Sequence, residues 1–296
     1  MFVLRISIKI RGKEMIYLIW GDVYTRKSTI ALSVPGRKFV FDFEMGVHRA
    51  EVQYPGIENE KWNIKPDLNS LTHFKGDRVL GKKENWHELT AKYIEVIQRD
   101  DIDVIIFDTA KVLWATCHGS VLQEKQDAQV DAVLAKAPNA VLGVVEANID
   151  WRKQLTEIEY TLPNERMENL INLANNFNKD LVLINHQRPM YGPQLMNGKI
   201  ESAPIAGKFE LDGWRHTSKL SDWIFNTSKE NIAIENDPGN TSIKFSAMVE
   251  KCPLGATVVG QTMTNLTLPM VLNLAKAMTA VLPIPELLPP TADIDN

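Results

Sequence analysis

Lys27 and Ser28 follow Gly21 at the spacing of a phosphate-binding loop, G-x-x-x-x-G-K-[ST]. In such a loop backbone N–H groups cradle phosphate oxygens, the lysine reaches the outer phosphates and the hydroxyl meets a magnesium ion. An apolar run, Met15 to Trp20, precedes the loop as a buried strand, and Ser28-Thr29-Ile30-Ala31-Leu32 follows it as the first turns of a helix. That strand-loop-helix context is what lets backbone donors converge on an anion. The residues expected to hold a nucleotide are therefore Gly21, Asp22, Val23, Tyr24, Thr25, Arg26, Lys27, Ser28 and Thr29. One fixed position departs from the pattern, because Arg26 stands where a second glycine is expected. A residue with a Cβ must there adopt a backbone geometry that glycine takes freely, or change the loop.

Three further groups sit where apolar runs end. Val104-Ile105-Ile106-Phe107 ends in Asp108, which could hold the magnesium ion together with Ser28, since a hard cation takes oxygen ligands. Phe39-Val40-Phe41-Asp42-Phe43 ends in Glu44, which could orient and deprotonate an attacking water. Leu181-Val182-Leu183-Ile184-Asn185 ends in His186, which could hydrogen-bond a terminal phosphate. Each has an ordinary reading as well: an acid at a strand end is often a cap, Glu44 could be a solvated strand end, and His186 a surface histidine.

Strands must carry these groups to one place. Helical periodicity over about 85–99 and over Glu165 to Lys179, set between the apolar runs, predicts alternating strands and helices and so a parallel sheet covered on both faces. In such sheets ligands bind beyond the carboxyl ends of the strands, the edge that Gly21, Glu44, Asp108 and His186 share. Residues 2–10 alternate like a half-exposed strand, 45–84 read as an irregular excursion, and 121–160 mix a glutamine-containing helix candidate with an Ala/Val-rich stretch. The segment from Arg188 to about His216 reads as a long loop rich in Gly, Pro, Lys and aromatic residues. Trp223-Ile224-Phe225, Ile232-Ala233-Ile234 and Ser242 to Val249 read as strands, the last two forming a hairpin around Asp237-Pro238-Gly239-Asn240. The expected organisation is a strand extension at 1–14, a core domain at 15–282 and a disordered proline-rich tail at 283–296.

With 296 residues, 44% of them hydrophobic, the chain can bury a large core. A net charge of -4 excludes a uniformly basic surface, so any nucleic-acid contact must be a local patch. Cys117 and Cys252, without metal-type spacing, are expected to pack rather than bridge. The charges Arg5 and Lys9 interrupt the first apolar run, so no signal peptide is read and no membrane partner is expected. A cytoplasmic location, the host cytoplasm for a viral chain, is the expectation.

The order of these motifs resembles the RecA-like P-loop ATPase core, and within it most nearly the RecA-type ATPases of bacteriophage recombination and annealing systems. Gly21 to Ser28 is similar to the family's phosphate loop except at Arg26, Phe41-Asp42-Phe43-Glu44 to the strand that ends in the catalytic base, Ile105-Ile106-Phe107-Asp108-Thr109 to the magnesium strand, and Ile184-Asn185-His186 to the sensor strand. The resemblance implies a three-layer αβα core with a mostly parallel sheet and a C-terminal β-hairpin. It also implies ATP and Mg2+ as cofactors, Lys27, Glu44 and His186 as catalytic groups, and a homo-oligomeric ring or filament in which Lys251 reaches a neighbour's nucleotide. DNA-facing loops would lie within 114–160 and at 188–216, the second offering Arg188, Tyr191, Lys199, Lys208, Trp214 and Arg215 to single-stranded DNA. A charged surface loop with aromatics packed beneath it is the plain alternative. The implied function is ATP-driven DNA recombination, repair or single-strand annealing. The alternative is a catalytically impaired pseudo-ATPase, disabled at Arg26, that serves as a scaffold.

Overall fold

A computed structural model describes residues 14–53, 57–64, 77–196, 199–234, 237–253, 258–271 and 273. In chain order it runs β1 (Ile16–Gly21), α1 (Lys27–Leu32), β2 (Lys38–Asp42), α2 (Val47–Glu51), β3 (Asn59–Trp62), α3 (Lys82–Ile97), β4 (Val104–Asp108), α4 (Ala110–Lys136) and α5 (Leu142–Asn148). A short 3-10 helix (Glu157–Tyr160) leads into α6 (Thr161–Asn176), β5 (Asp180–Met196), β6 (Lys199–Asp212), α7 (Thr217–Leu220), β7 (Trp223–Ile234), β8 (Asp237–Lys251) and β9 (Thr262–Thr264).

The strands form one sheet in the order β3-β2-β4-β5-β1-β7-β8-β9, with β6 paired to β5. The six strands from β3 to β7 are mutually parallel, and β8 and β9 close the edge antiparallel. Because side chains alternate across a strand, the apolar runs feed two cores. Tyr17, Ile19, Val40, Ile106, Val182, Ile184 and Phe225 meet α1, α2 and the segment after β9 on one face. Ile16, Leu18, Phe41, Phe107, Leu181 and Leu183 meet α3, α4 and α6 on the other. A sheet buried on both faces needs runs that are apolar at every position, which is why β4 reads Val-Ile-Ile-Phe without alternation. The expected three-layer αβα architecture, with its mostly parallel sheet and its hairpin (β7–β8), is therefore the fold.

Several element boundaries differ from the sequence reading. The segment at 188–216 is not a loop: β5 runs on to Met196 and β6 returns, pairing from His186↔Asp212 to Met196↔Lys199 with a shift between Pro189 and Tyr191. Its prolines and glycines masked the strand signal, since they disfavour interior strands but suit a projecting arm and a bulge. The 223–225 and 232–234 strands are one strand, β7. Residues 45–84 contain α2 and β3, and β2 stops at Asp42, before Phe43 and Glu44. The supposed DNA-facing segment 114–160 begins inside α4, a helix of 27 residues that runs to Lys136, and goes on through α5 and the 3-10 helix. Its glutamines are tethers: Gln126 accepts from the Val79 N–H and donates to the Asp77 and Arg152 carbonyls, and Gln123 accepts from the Lys83 N–H. The expected strand at 2–10 and the expected tail at 283–296 lie outside the described residues.

Candidate functional site

Parallel register places the strand ends. Gly21 of β1 pairs with His186 of β5, Asp108 of β4 pairs with Asp42 of β2 on one side and Ile184 of β5 on the other. Glu44, just past the end of β2, and His186, on β5, thus each lie two residues beyond the level of Asp108 on either side of it. They meet over the end of β4, where His186 Nε2 lies 3.0 Å from Glu44 Oε2 and the Thr109 hydroxyl donates to Glu44 Oε1 at 3.1 Å. Held by His186 first and Thr109 next, the Glu44 carboxyl stays below its ordinary range, against the opposing effect of partial burial.

The loop after β1 carries two constraints that the motif alone does not state. Gly21 has φ 146°, and a Cβ there would lie 2.2 Å from the Thr227 carbonyl oxygen of β7, so close approach of that strand demands glycine. Arg26 adopts the left-handed conformation, φ 63° and ψ 27°, that the expected glycine would have taken. That costs an L-residue about 1–2 kcal/mol, and the side chain makes compensating contacts outside the loop. Its guanidinium carbon lies 4.0 Å from the centroid of the Phe245 ring, and Nη1 donates to Asn265 Oδ1 at 3.1 Å. A cation over an aromatic face contributes about 0.5–1 kcal/mol where exposed. Arg26 therefore keeps the turn, with its guanidinium held on Phe245 and Asn265.

Inside the loop, Lys27 is buried and donates to the carbonyls of Gly21 (3.2 Å) and Asp22 (2.5 Å). Burial lowers its pKa to about 8, although Asp108, Asp22 and Glu44 pull the other way. Ser28 Oγ donates to Asp108 Oδ2 at 2.6 Å, and burial lifts the Asp108 carboxyl to about 6 despite that bond. A buried carboxylate without a full counter-charge and a hydroxyl in contact with it form an oxygen-only donor pair that fits Mg2+. No cluster of three or more His, Cys, Asp or Glu side chains suited to a metal occurs among the described residues, so such an ion would draw its other ligands from phosphates and water.

These groups line a cavity of about 380 Å³ that includes Lys27, Ser28, Glu44, Asp108 and His186. That is the size of a small-molecule site. The arrangement can hold a polyphosphate at Lys27 and present a carboxylate, Glu44, to a water beside it.

A family profile described as an AAA domain matches residues 13–191, well over half of the chain. The chain belongs to the AAA domain family. The match spans the phosphate loop, Glu44, Asp108 and His186, so this AAA domain is a P-loop ATPase domain whose four strand ends fall inside the shared region. No curated protein matches the sequence. Among solved structures the chain is similar to the KaiC-like protein PH0186 from the hyperthermophilic archaeon Pyrococcus horikoshii OT3, at 8% identity and TM-score 0.38 over 85% of each chain.

Arg188 pairs with Glu210 across the β5–β6 arm at 2.9 Å, and Tyr191, Lys199, Lys208 and Arg215 are exposed. Trp214 is not a surface ring: it is buried and its indole N–H donates to Asn164 at 2.8 Å. Lys251 pairs with Ile224 near the start of β7, away from the loop, and its ammonium caps the carbonyls of Ser218, Lys219 and Ser221. It is not brought to the cavity of its own chain. Sequence reading missed Thr109, Arg49, Gln53 and Phe245, all of which contact Glu44 or line the cavity. Thr109 had a signal in its position next to Asp108, whereas Phe245, on a strand far from the phosphate loop in the chain, had none. No helix among the described residues is long and apolar enough to cross a membrane.

Proposed function

We propose that this chain is an ATP-hydrolysing, DNA-binding protein that acts in recombination, repair or single-strand annealing as a homo-oligomer. The observation that carries the reading is the Glu44–His186 contact over β4. It joins a general base to the strand that continues, without a break, into the β5–β6 arm.

In the proposed cycle ATP lies along residues 21–29, with Lys27 exchanging its carbonyl partners for outer phosphate oxygens. Mg2+, held by Ser28 and Asp108, would offset phosphate charge. Glu44, a carboxylate at neutral pH, accepts a proton from the attacking water as the water oxygen bonds the terminal phosphorus and the bond to the ADP oxygen breaks. His186 changes partners with the presence of the terminal phosphate, and β5 carries that change to the arm. Tyr191, Lys199 and Lys208 are exposed there, a ring and two cations suited to single-stranded DNA. Against the pseudo-ATPase alternative stands the backbone of Arg26, which takes the left-handed turn expected of the missing glycine while its guanidinium rests on Phe245.

The test is steady-state ATP hydrolysis with and without single-stranded DNA, with Lys27→Ala as control. DNA-stimulated hydrolysis that disappears in the control supports the reading. Absence of hydrolysis under both conditions overturns it.

A further inference from the structure

Resting on the nucleotide reading above, we propose that Arg26 and Phe245 form the wall of a subsite for the nucleobase, with Gln53 and Asn265 at its edges. The substitution that breaks the phosphate-loop pattern would thus serve as a specificity device at the other end of the same ligand.

A second cavity, of about 140 Å³, lies beside the first and shares Thr25, Arg26, Thr29, Gln53 and Phe245 with it. Its own far wall is Ser246, Ala247 and residues 265–267. The polyphosphate direction is set by chemistry already placed: Lys27, Glu44, Asp108 and His186 line only the first cavity and define the terminal-phosphate end. A nucleotide anchored there has its base toward Thr29, Arg26 and the second cavity.

That cavity is built rather than incidental. Phe245 pairs with Lys229 on β7, two residues beyond the Thr227 that touches Gly21, so β8 delivers the ring to the loop edge of the sheet. The Asn265 N–H donates to the Phe245 carbonyl at 3.0 Å, and Asn265 has φ 50°, which turns its side chain back onto Arg26. Leu268 N donates to Ser33 Oγ at 2.7 Å, tying the same segment to the end of α1. A guanidinium plane packed on an aromatic ring presents a flat, polarisable surface on which a purine stacks. The amides of Gln53 and Asn265 supply both donors and acceptors for a base edge. The wall comes from residues at both ends of the chain, so the base also joins the phosphate loop to β8 and the segment after β9.

The experiment is calorimetric titration of the full chain with Mg2+-ATP and, separately, with Mg2+-tripolyphosphate, which keeps the phosphates and lacks the base. Wild type is expected to prefer ATP by about ten-fold or more, the scale of one stacked base. Phe245→Ala, at a half-buried position outside the loop, is expected to remove most of that preference with tripolyphosphate affinity unchanged. Equal affinity of wild type for the two ligands, or an unchanged preference in Phe245→Ala, overturns the subsite while leaving the phosphate site standing. A Phe245→Ala protein that loses both ligands equally also overturns it. Failure of wild type to bind either ligand overturns the nucleotide reading and the subsite together.

Discussion

His186 Nε2 and Glu44 Oε2 lie 3.0 Å apart across the end of β4, although 142 residues separate them in the chain. Glu44 is thereby held as a carboxylate next to the lysine of the phosphate loop. Glu44→Gln removes the proposed proton acceptor but keeps the shape and one hydrogen-bonding oxygen. Turnover should fall by about 10²–10⁴-fold, the usual contribution of a general base, with ATP affinity retained. Single-turnover hydrolysis alongside equilibrium binding checks this; turnover near the wild-type rate would remove Glu44 from the role.

Lys27→Ala should abolish ATP binding and at the same time raise the melting temperature at pH 7. The folded ammonium has its pKa lowered to about 8 from 10.5 by burial, so the folded state binds the proton less well than the unfolded chain does. Stability from this group is therefore lacking at neutral pH and is gained as pH rises through the window from about 8 to 10.5. A thermal melt of both proteins at pH 7 reads the difference. A less stable Lys27→Ala protein would contradict the assignment of a burial cost to Lys27.

Asp108 sets the acid side. Its carboxyl is raised from 3.8 to about 6, so the folded state holds a proton that the unfolded chain has already released. Stability is lost as pH rises through that window, and the buried charge is a cost above it. Asp108→Asn should be more stable than wild type at pH 7 and no different near pH 3.5. In the wild type, Mg2+-dependent nucleotide affinity should weaken as pH falls through about 6, because a protonated Asp108 is a poor metal ligand. Titrations with and without Mg2+ from pH 5 to 7 separate that loss from any effect on the phosphates.

Trp214 and Tyr191 were both expected on a DNA-facing loop, and the fold puts them in different environments. Trp214→Ala should destabilise the protein by about 3–5 kcal/mol, as aromatic truncations in cores do. Tyr191→Ala, at an exposed arm position, should leave the melting temperature unchanged and weaken single-stranded DNA binding by about 1–3 kcal/mol, one stacked base. Denaturant unfolding and DNA-binding titrations on both variants distinguish the two sites. Unchanged DNA affinity in Tyr191→Ala would count against the arm as the contact.

The strands that matter most were legible for a physical reason. β1, β4 and the first part of β5 are buried on both faces, so each is a run of apolar residues that no surface element needs, and each ends where its neighbour's polar group begins. The arm at 188–212 was not legible, because a projecting hairpin has no buried face to impose alternation, and its pairing partner lies outside any local window. The same holds for β7, whose outer half is largely exposed and reads as two pieces. In α4 the glutamine-containing stretch read as a helix candidate, but the burial of its polar groups did not show, because it depends on distant backbone segments that dock on them.

By itself the sequence determined the phosphate loop, the acids and the histidine at the strand ends and the layered parallel architecture, since residue spacing and unbroken apolar runs are local properties of the chain. Only the tertiary structure decided that Glu44 and His186 touch, that Arg26 keeps the glycine turn by resting on Phe245, that Trp214 is core and that Lys251 caps α7 instead of facing its own cavity. Each of those is a contact between segments far apart in the chain, set by strand order and register, which the local sequence does not encode.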